Sequence, residues 1–196
     1  MDSINIVIIG VGGQGTLLAS RVIGNVALNR GFDVKMSEVH GMAQRGGSVV
    51  TNVRIAKKVY SPIIEKQEAD IILAFERLEA LRWIEYLKPG GKMIINDQQI
   101  DPIPVIIGKA KYPENIIEKI KANYDNILAV DALSIARGCG TQKAVNTVLI
   151  GIMARSLDIP EEEWLESVKA MVPEKFIDVN IRAFKEGYNY SEEKVG

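Results

Sequence analysis

The sequence predicts an α/β fold, a mostly parallel sheet with helices on both faces in a Rossmann-like arrangement, closed by a helical C-terminal cap. Three observations carry that expectation. A β-branched run, Ile4 to Ile9, leads directly into the loop Gly10-Val11-Gly12-Gly13-Gln14-Gly15 and then into apolar residues at helical spacing. Strand-like runs then alternate with helical patterns as far as Asp131. From Gln142 onward only helical periodicity remains. Such alternation buries a sheet between helices, because parallel strands need crossover connections that lie on its faces.

Each element has its own signal. Ile-Asn-Ile-Val-Ile-Ile at Ile4 to Ile9 reads as a strand buried on both faces. Leu18, Val22 and Val26, widened by Ile23 and Ala27, give the next helix one apolar face, and Gly31 stops it. Asp33 to Val39 is a second strand, so that strand, loop, helix and strand fit the length of a β-α-β unit. Val49 to Ile55 is a third strand, with Lys57-Lys58 as a turn. Ala69 to Phe75 is a further buried strand. A helix follows over Glu76 to Leu87, with Leu78, Leu81 and Ile84 on one face, ended by Pro89-Gly90-Gly91. Lys92 to Asn96 is extended, and Pro102 and Pro104 punctuate a loop. Glu114 to Asn123 is helical and Ile127 to Asp131 a strand. Val145, Val148, Leu149, Ile152 and Met153 then recur at i, i+3, i+4, i+7 and i+8. Glu161 to Met171 and Glu174 to Glu186 are two more helices, the last stopped by Gly187. Residues 1–140 are thus expected to form the sheet domain with two glycine-rich loops. Residues 141–190 form a helical part packed on it, and 191–196 a frayed tail.

Bulk properties narrow the function classes. A chain of 196 residues suits one large domain. Its 24 basic and 25 acidic side chains give a net charge of -1, without a basic block of the kind that nucleic-acid or membrane-surface binding requires. No apolar run approaches the roughly 20 residues of a membrane span. Met1-Asp2-Ser3 passes straight into a strand without a basic leader, so a cytoplasmic location is expected. The one cysteine, Cys139, excludes an internal disulfide and any multi-cysteine zinc or iron–sulfur site built from this chain alone. The one histidine, His40, excludes a multi-histidine metal cage, and no metal site is expected.

Two loops carry candidate chemistry. Gly10, Gly12 and Gly15 fit G-x-G-x-x-G, in which small residues allow a tight turn and bring backbone N–H groups to an anion at a helix N-terminus. Gly13 and Gln14 belong to the same loop, and Glu38 stands where a dinucleotide binder keeps its ribose-reading acid. The alternative is that these glycines only permit close strand–helix packing. The second loop is Glu38-Val39-His40-Gly41-Met42-Ala43-Gln44-Arg45-Gly46-Gly47-Ser48. Arg45, flanked by Gly46 and Gly47, offers a forked cation to phosphate or carboxylate. Gln44 both donates and accepts, and His40, as an imidazole, is a weak catalytic candidate. An interface that docks another chain is the competing reading of the same loop. Cys139 lacks a companion base and reads as structural. Asn146 and Thr147 interrupt an apolar stripe, where they pack, cap or face a partner. Trp164, Leu165 and Val168 read as core.

Taken in order, Gly10–Gly15 and Ser37-Glu38-Val39-His40-Gly41-Met42-Ala43-Gln44-Arg45-Gly46-Gly47 resemble the gamma-type subunits of 2-oxoacid:ferredoxin oxidoreductases. The wording from Glu38 to Gly47 is most similar to the beta subunit of the indolepyruvate-specific enzymes. Ala144-Val145-Asn146-Thr147 and Asn180 to Tyr188 extend the similarity over almost the whole chain. The resemblance implies an accessory subunit of an enzyme that oxidatively decarboxylates an aryl 2-oxoacid, such as indolepyruvate, to an acyl-CoA and CO2, with electrons passed to ferredoxin. It further implies that thiamine diphosphate, Mg and 4Fe-4S iron–sulfur clusters reside on a larger alpha subunit, with CoA shared at the interface. The residues agree independently: one cysteine cannot hold a four-cysteine cluster, and no G-D-G stretch suits thiamine diphosphate. Two rival readings remain, a free-standing NAD(P)-binding oxidoreductase and a non-catalytic assembly subunit.

Overall fold

The computed structural model describes residues 3–41 and 47–191. Six strands form one sheet: β1 (Ser3–Val11), β2 (Asp33–His40), β3 (Ser48–Ala56), β4 (Ala69–Ala74), β5 (Leu87–Asn96) and β6 (Ile127–Val130). Their lateral order is β2-β3-β1-β4-β5-β6. β1, β4, β5 and β6 are parallel, whereas β3 runs antiparallel to both β1 and β2. The sheet is therefore mostly parallel, with β3 as its single reversed strand.

That order corrects the expected β-α-β unit. The helix α1 (Thr16–Asn29) does carry the chain from β1 to a strand of the same direction, but β3 lies between β1 and β2. Spacing along the chain reports the length of a crossover, not which strand later fills the gap.

The sheet has unequal cover. On one face, Ile4, Ile6 and Ile8 of β1 pack in a core with α1, α5 (Ala132–Gly138) and α6 (Val145–Ala154). The helices α7 (Glu161–Met171) and α8 (Ile177–Tyr188) pack outside these, mainly against α1 and α6 respectively. On the other face, Val7 and Ile9 lie beneath α2 (Arg77–Trp83) and α4 (Ile116–Lys121). Ile6, Val7, Ile8 and Ile9 are fully buried, which explains why the strand reads as a continuous apolar run rather than an alternating one. Burying each such side chain contributes about 1.5–3 kcal/mol.

Several expected boundaries shift. The helix expected over Glu76 to Leu87 is α2 followed by a 3-10 turn at Ile84–Tyr86, because Leu87 already pairs with Ala69. Pro89-Gly90-Gly91 is absorbed into an irregular start of β5. Pro102 and Pro104 do not mark a bare loop: Pro102 precedes the one-turn helix α3 (Ile103–Ile106) and Pro104 lies within it. α5, absent from the expectation, is capped by Asp131, whose side chain accepts from the Ser134 N–H. Gly187 does not stop the last helix but lies within α8, where it meets α6. A Cβ there would stand 2.1 Å from the Val148 carbonyl oxygen, and one on Gly151 would stand 2.2 Å from that of Phe184. Two glycines thus let the helices cross in backbone contact. Among the described residues, no helix is long and apolar enough to cross a membrane.

Candidate functional site

Parallel strands deliver their carboxyl ends to one edge, where ligands of open α/β sheets bind beside the strand at which the order reverses. Here that strand is β1. Gly10–Gly15 leaves its carboxyl end and β4 ends beside it at Ala74. A Cβ on Gly10 would lie 3.0 Å from that of Phe75, so the loop and the end of β4 are in direct contact.

Gln14 closes this crevice. Its Oε1 accepts from the Val11 N–H at 2.7 Å, and its Nε2 donates to the Phe75 carbonyl at 2.9 Å. Asn96 donates to the same carbonyl at 3.1 Å and accepts from the Ala132 N–H at 3.2 Å, tying β4 and β5 to the start of α5. The Gln14 amide is consumed inside the chain, so this side chain acts as a brace for the loop.

The open side of the loop faces elsewhere. Gly13, Gln14 and Gly15 line a cavity of about 480 Å³ together with Gln98, Ile100, Leu133, Arg137, Gln142, Lys143, Val145 and Asn146. Gly15 is the N-cap of α1 at φ 84°, a left-handed conformation that favours glycine, and a Cβ there would strike Asn146 Nδ2 at 2.5 Å. No side chain caps α1, and its first turn holds no acidic residue. An uncapped helix start leaves its first N–H groups to an anion or to solvent. Arg137 and Lys143 add two cations to the lining of the same cavity. The arrangement suits a phosphate or carboxylate group.

Polar residues of the C-terminal helices hold part of that lining. Asn146 leans on the Gly15 carbonyl at 3.5 Å, a long contact, while its Oδ1 accepts from the Thr147 N–H at 2.8 Å. The Thr147 hydroxyl donates to Asn180 Oδ1 at 2.6 Å, and Asn180 Nδ2 to the Phe176 carbonyl at 2.8 Å. Asn146, Thr147 and Asn180 are all buried, so this chain of bonds satisfies polar groups inside an apolar layer.

The second loop adjoins the first at its exit. Gly12 N–H donates to the Gly47 carbonyl at 3.0 Å, and Gly41 N–H to the Ser48 carbonyl at 2.8 Å. The Ser48 hydroxyl donates to the buried Glu79 carboxylate, which also pairs with Arg82 at 2.6 Å. Gln44, Arg45 and Gly46 lie outside the described residues. Glu38 lies two strands from β1, on the far side of β3, and is engaged by Thr51 Oγ1 at 3.0 Å and His40 Nε2 at 3.2 Å. It is therefore not beside the glycine loop as a ribose-reading acid would be. His40, its side chain 64% exposed, stands on the same edge strand and does not line the cavity. Of the loop residues singled out in the sequence, Gly13, Gln14 and Gly15 line this cavity, while Arg137, Lys143, Gln98 and Ile100, which also line it, were not singled out. Asp131 ahead of Ala-Leu-Ser-Ile-Ala was the one available signal, since it caps the helix that carries Arg137.

Beside this site, the buried Glu76 and the half-buried Tyr112 fix the loop after β5. Glu76 is 1% exposed and accepts from the Glu79 N–H at 2.9 Å, the Ile100 N–H at 3.2 Å and the Tyr112 hydroxyl. Burial, and then the bond to Glu76, push the Tyr112 phenol far above its ordinary range.

The profile of the pyruvate ferredoxin/flavodoxin oxidoreductase family matches residues 5–190. The indolepyruvate oxidoreductase subunit IorB of Thermococcus kodakarensis is 41% identical over 201 residues, covering 100% of both chains. The keto/oxoacid ferredoxin oxidoreductase gamma subunit of Geobacter sulfurreducens shares the fold with a TM-score of 0.70 at 23% identity, over 94% of this chain and 96% of that one. The 2-oxoglutarate:ferredoxin oxidoreductase of Magnetococcus marinus, solved with 2-oxoglutarate, coenzyme A and succinyl-CoA bound, gives 0.71 at 19% identity, over 96% of this chain and 31% of that one.

Proposed function

Since the chain belongs to the pyruvate ferredoxin/flavodoxin oxidoreductase family, as a subunit of the 2-oxoacid:ferredoxin oxidoreductase type, we propose that it is the accessory half of an enzyme that converts an aryl 2-oxoacid such as indolepyruvate, with CoA, to an acyl-CoA and CO2 while reducing ferredoxin. Its contribution is to hold the phosphates of CoA at the carboxyl end of the sheet. The observation that carries this role is the uncapped start of α1 opening on a cavity that also holds Arg137 and Lys143.

The fit is chemical. Backbone N–H groups at a helix start and two cations suit a diphosphate, and a cavity of about 480 Å³ is toward the small end of ligand sites, sized for part of CoA rather than all of it. The remainder of the ligand then lies against the larger subunit. Thiamine diphosphate, Mg and the iron–sulfur clusters belong on that subunit, where they supply decarboxylation and electron transfer; one cysteine and one histidine in this sequence support that division. This chain's task is to orient the acceptor thiol by its phosphate end and to keep water from the shared cleft. Arg45 is proposed as a further phosphate-binding cation from the second loop.

Against an NAD(P) enzyme stands the antiparallel β3 between the glycine loop and Glu38. Reconstitution tests the reading. Each chain alone should fail to reduce ferredoxin with indolepyruvate and CoA, and the mixed pair should succeed. A larger chain equally active without this one would leave only an assembly role. Arg45→Ala should weaken CoA binding by the pair in isothermal titration, and an unchanged affinity would remove that residue from the site.

A further inference from the structure

One element beside this site is ordered although none of its residues is buried. In α3 and its end, Ile103, Ile106 and Ile107 lie at i, i+3 and i+4, on one side of a single turn, and are 50%, 70% and 57% exposed. Yet the turn is held by its own backbone: Ile106 N–H donates to the Pro102 carbonyl at 3.1 Å, Ile107 to Ile103 at 3.0 Å and Lys109 to Pro104 at 2.8 Å. Two prolines limit its backbone freedom, and Gly108 ends it at φ 73°. The segment before it is pinned as well, by Glu76 on the Ile100 N–H and by Arg77 N–H on the Gln98 carbonyl at 3.1 Å. An apolar knob fixed in this way and left in water marks a contact site rather than a loose loop.

Resting on the subunit role proposed above, we infer that α3, through Ile103, Ile106 and Ile107, is a docking element for the larger subunit, and that its occupant is an apolar pocket on that chain. Two observations favour the larger subunit over a second copy. The knob follows within a few residues of Gln98 and Ile100, which line the cavity with Gly13 and Gly15, so it lies on the same stretch of chain as the lining assigned above to the shared site. The same fold makes up 31% of the Magnetococcus marinus chain, where it is joined to further protein rather than standing alone. Apolar anchors in pockets near the centre of an interface carry most of its binding energy.

The test uses the co-expressed pair. The double variant Ile106→Asp/Ile107→Asp should weaken pairing by at least about 100-fold by surface plasmon resonance, while the variant chain alone unfolds at the wild-type temperature. Leu28→Asp, changing a residue that is 56% exposed at the opposite end of α1, should pair like wild type. Pairing unchanged in the double variant would overturn the inference. So would loss of self-association alone, which would make the knob a contact between copies. A wild-type chain that never binds the larger subunit would instead overturn the subunit role itself.

Discussion

Gly187→Ala should destabilise the chain although alanine is the better helix former. The new Cβ would lie 2.1 Å from the Val148 carbonyl oxygen and 2.9 Å from its carbon, both backbone atoms of α6. Ordinary contact lies beyond 3.4 Å, so α8 must retreat from α6 by roughly 1 Å, loosening the layer around it. Overpacking of this kind costs about 1–3 kcal/mol and occasionally more. Helix propensity returns about 1 kcal/mol. Because the clash is with backbone and cannot be relieved by a rotamer change, the upper part of the range applies, for a net loss of about 2 kcal/mol. In a chain of this length that lowers Tm by about 4–8 °C. Thermal unfolding followed by circular dichroism reads it directly. The movement also carries Thr147 away from Asn180 and disturbs Asn146 against Gly15, so CoA binding by the pair should weaken with stability. A variant at least as stable as wild type would refute the backbone-contact account of this crossing.

Three further outcomes follow from individual bonds. Gln14→Ala should cost about 1–2 kcal/mol in urea unfolding, because the Val11 N–H loses its acceptor while the Phe75 carbonyl keeps Asn96. Asp131→Ala should cost about 1 kcal/mol by removing the cap of α5. The bond from the Ser134 hydroxyl holds the Asp131 carboxyl below its usual range. Its contribution is therefore present above the unfolded value near about pH 4 and lost as pH falls through the folded one, and the two proteins should converge in strong acid. Tyr112, raised by burial and then by Glu76, behaves oppositely. Its contribution is complete below the unfolded value near about pH 10 and declines as pH rises beyond it. In an ultraviolet titration of the folded protein, Tyr112→Phe should remove absorbance change from the most alkaline end of the curve.

Local structure was legible where one stretch of sequence determines it. Ile4 to Ile9 announced a strand buried on both faces, and the glycine loop announced the turn into α1. Lateral order was not legible, because nothing in Asp33 to Val39 says that β3 will separate it from β1. That single fact removes Glu38 from the glycine loop. Gln14 illustrates a second limit: its amide is a ligand candidate by chemistry, but the end of β4, some 60 residues away, decides that it braces the loop. Arg137 and Lys143 were hidden for the same reason, since only the folding of α5 and the turn after it over the sheet edge brings them into one cavity with Gly15. Gly187 shows the reverse case, a residue that reads as a helix stop and serves as a helix contact.

The most direct test of the CoA-binding role is titration of CoA into the reconstituted pair carrying Arg137→Ala, Lys143→Ala or both. Loss of one charge-assisted contact should raise Kd by about 10-fold, and loss of both by more, with the 2-oxoacid KM unchanged. An unaltered CoA affinity in the double variant, with the pair intact, would contradict the account.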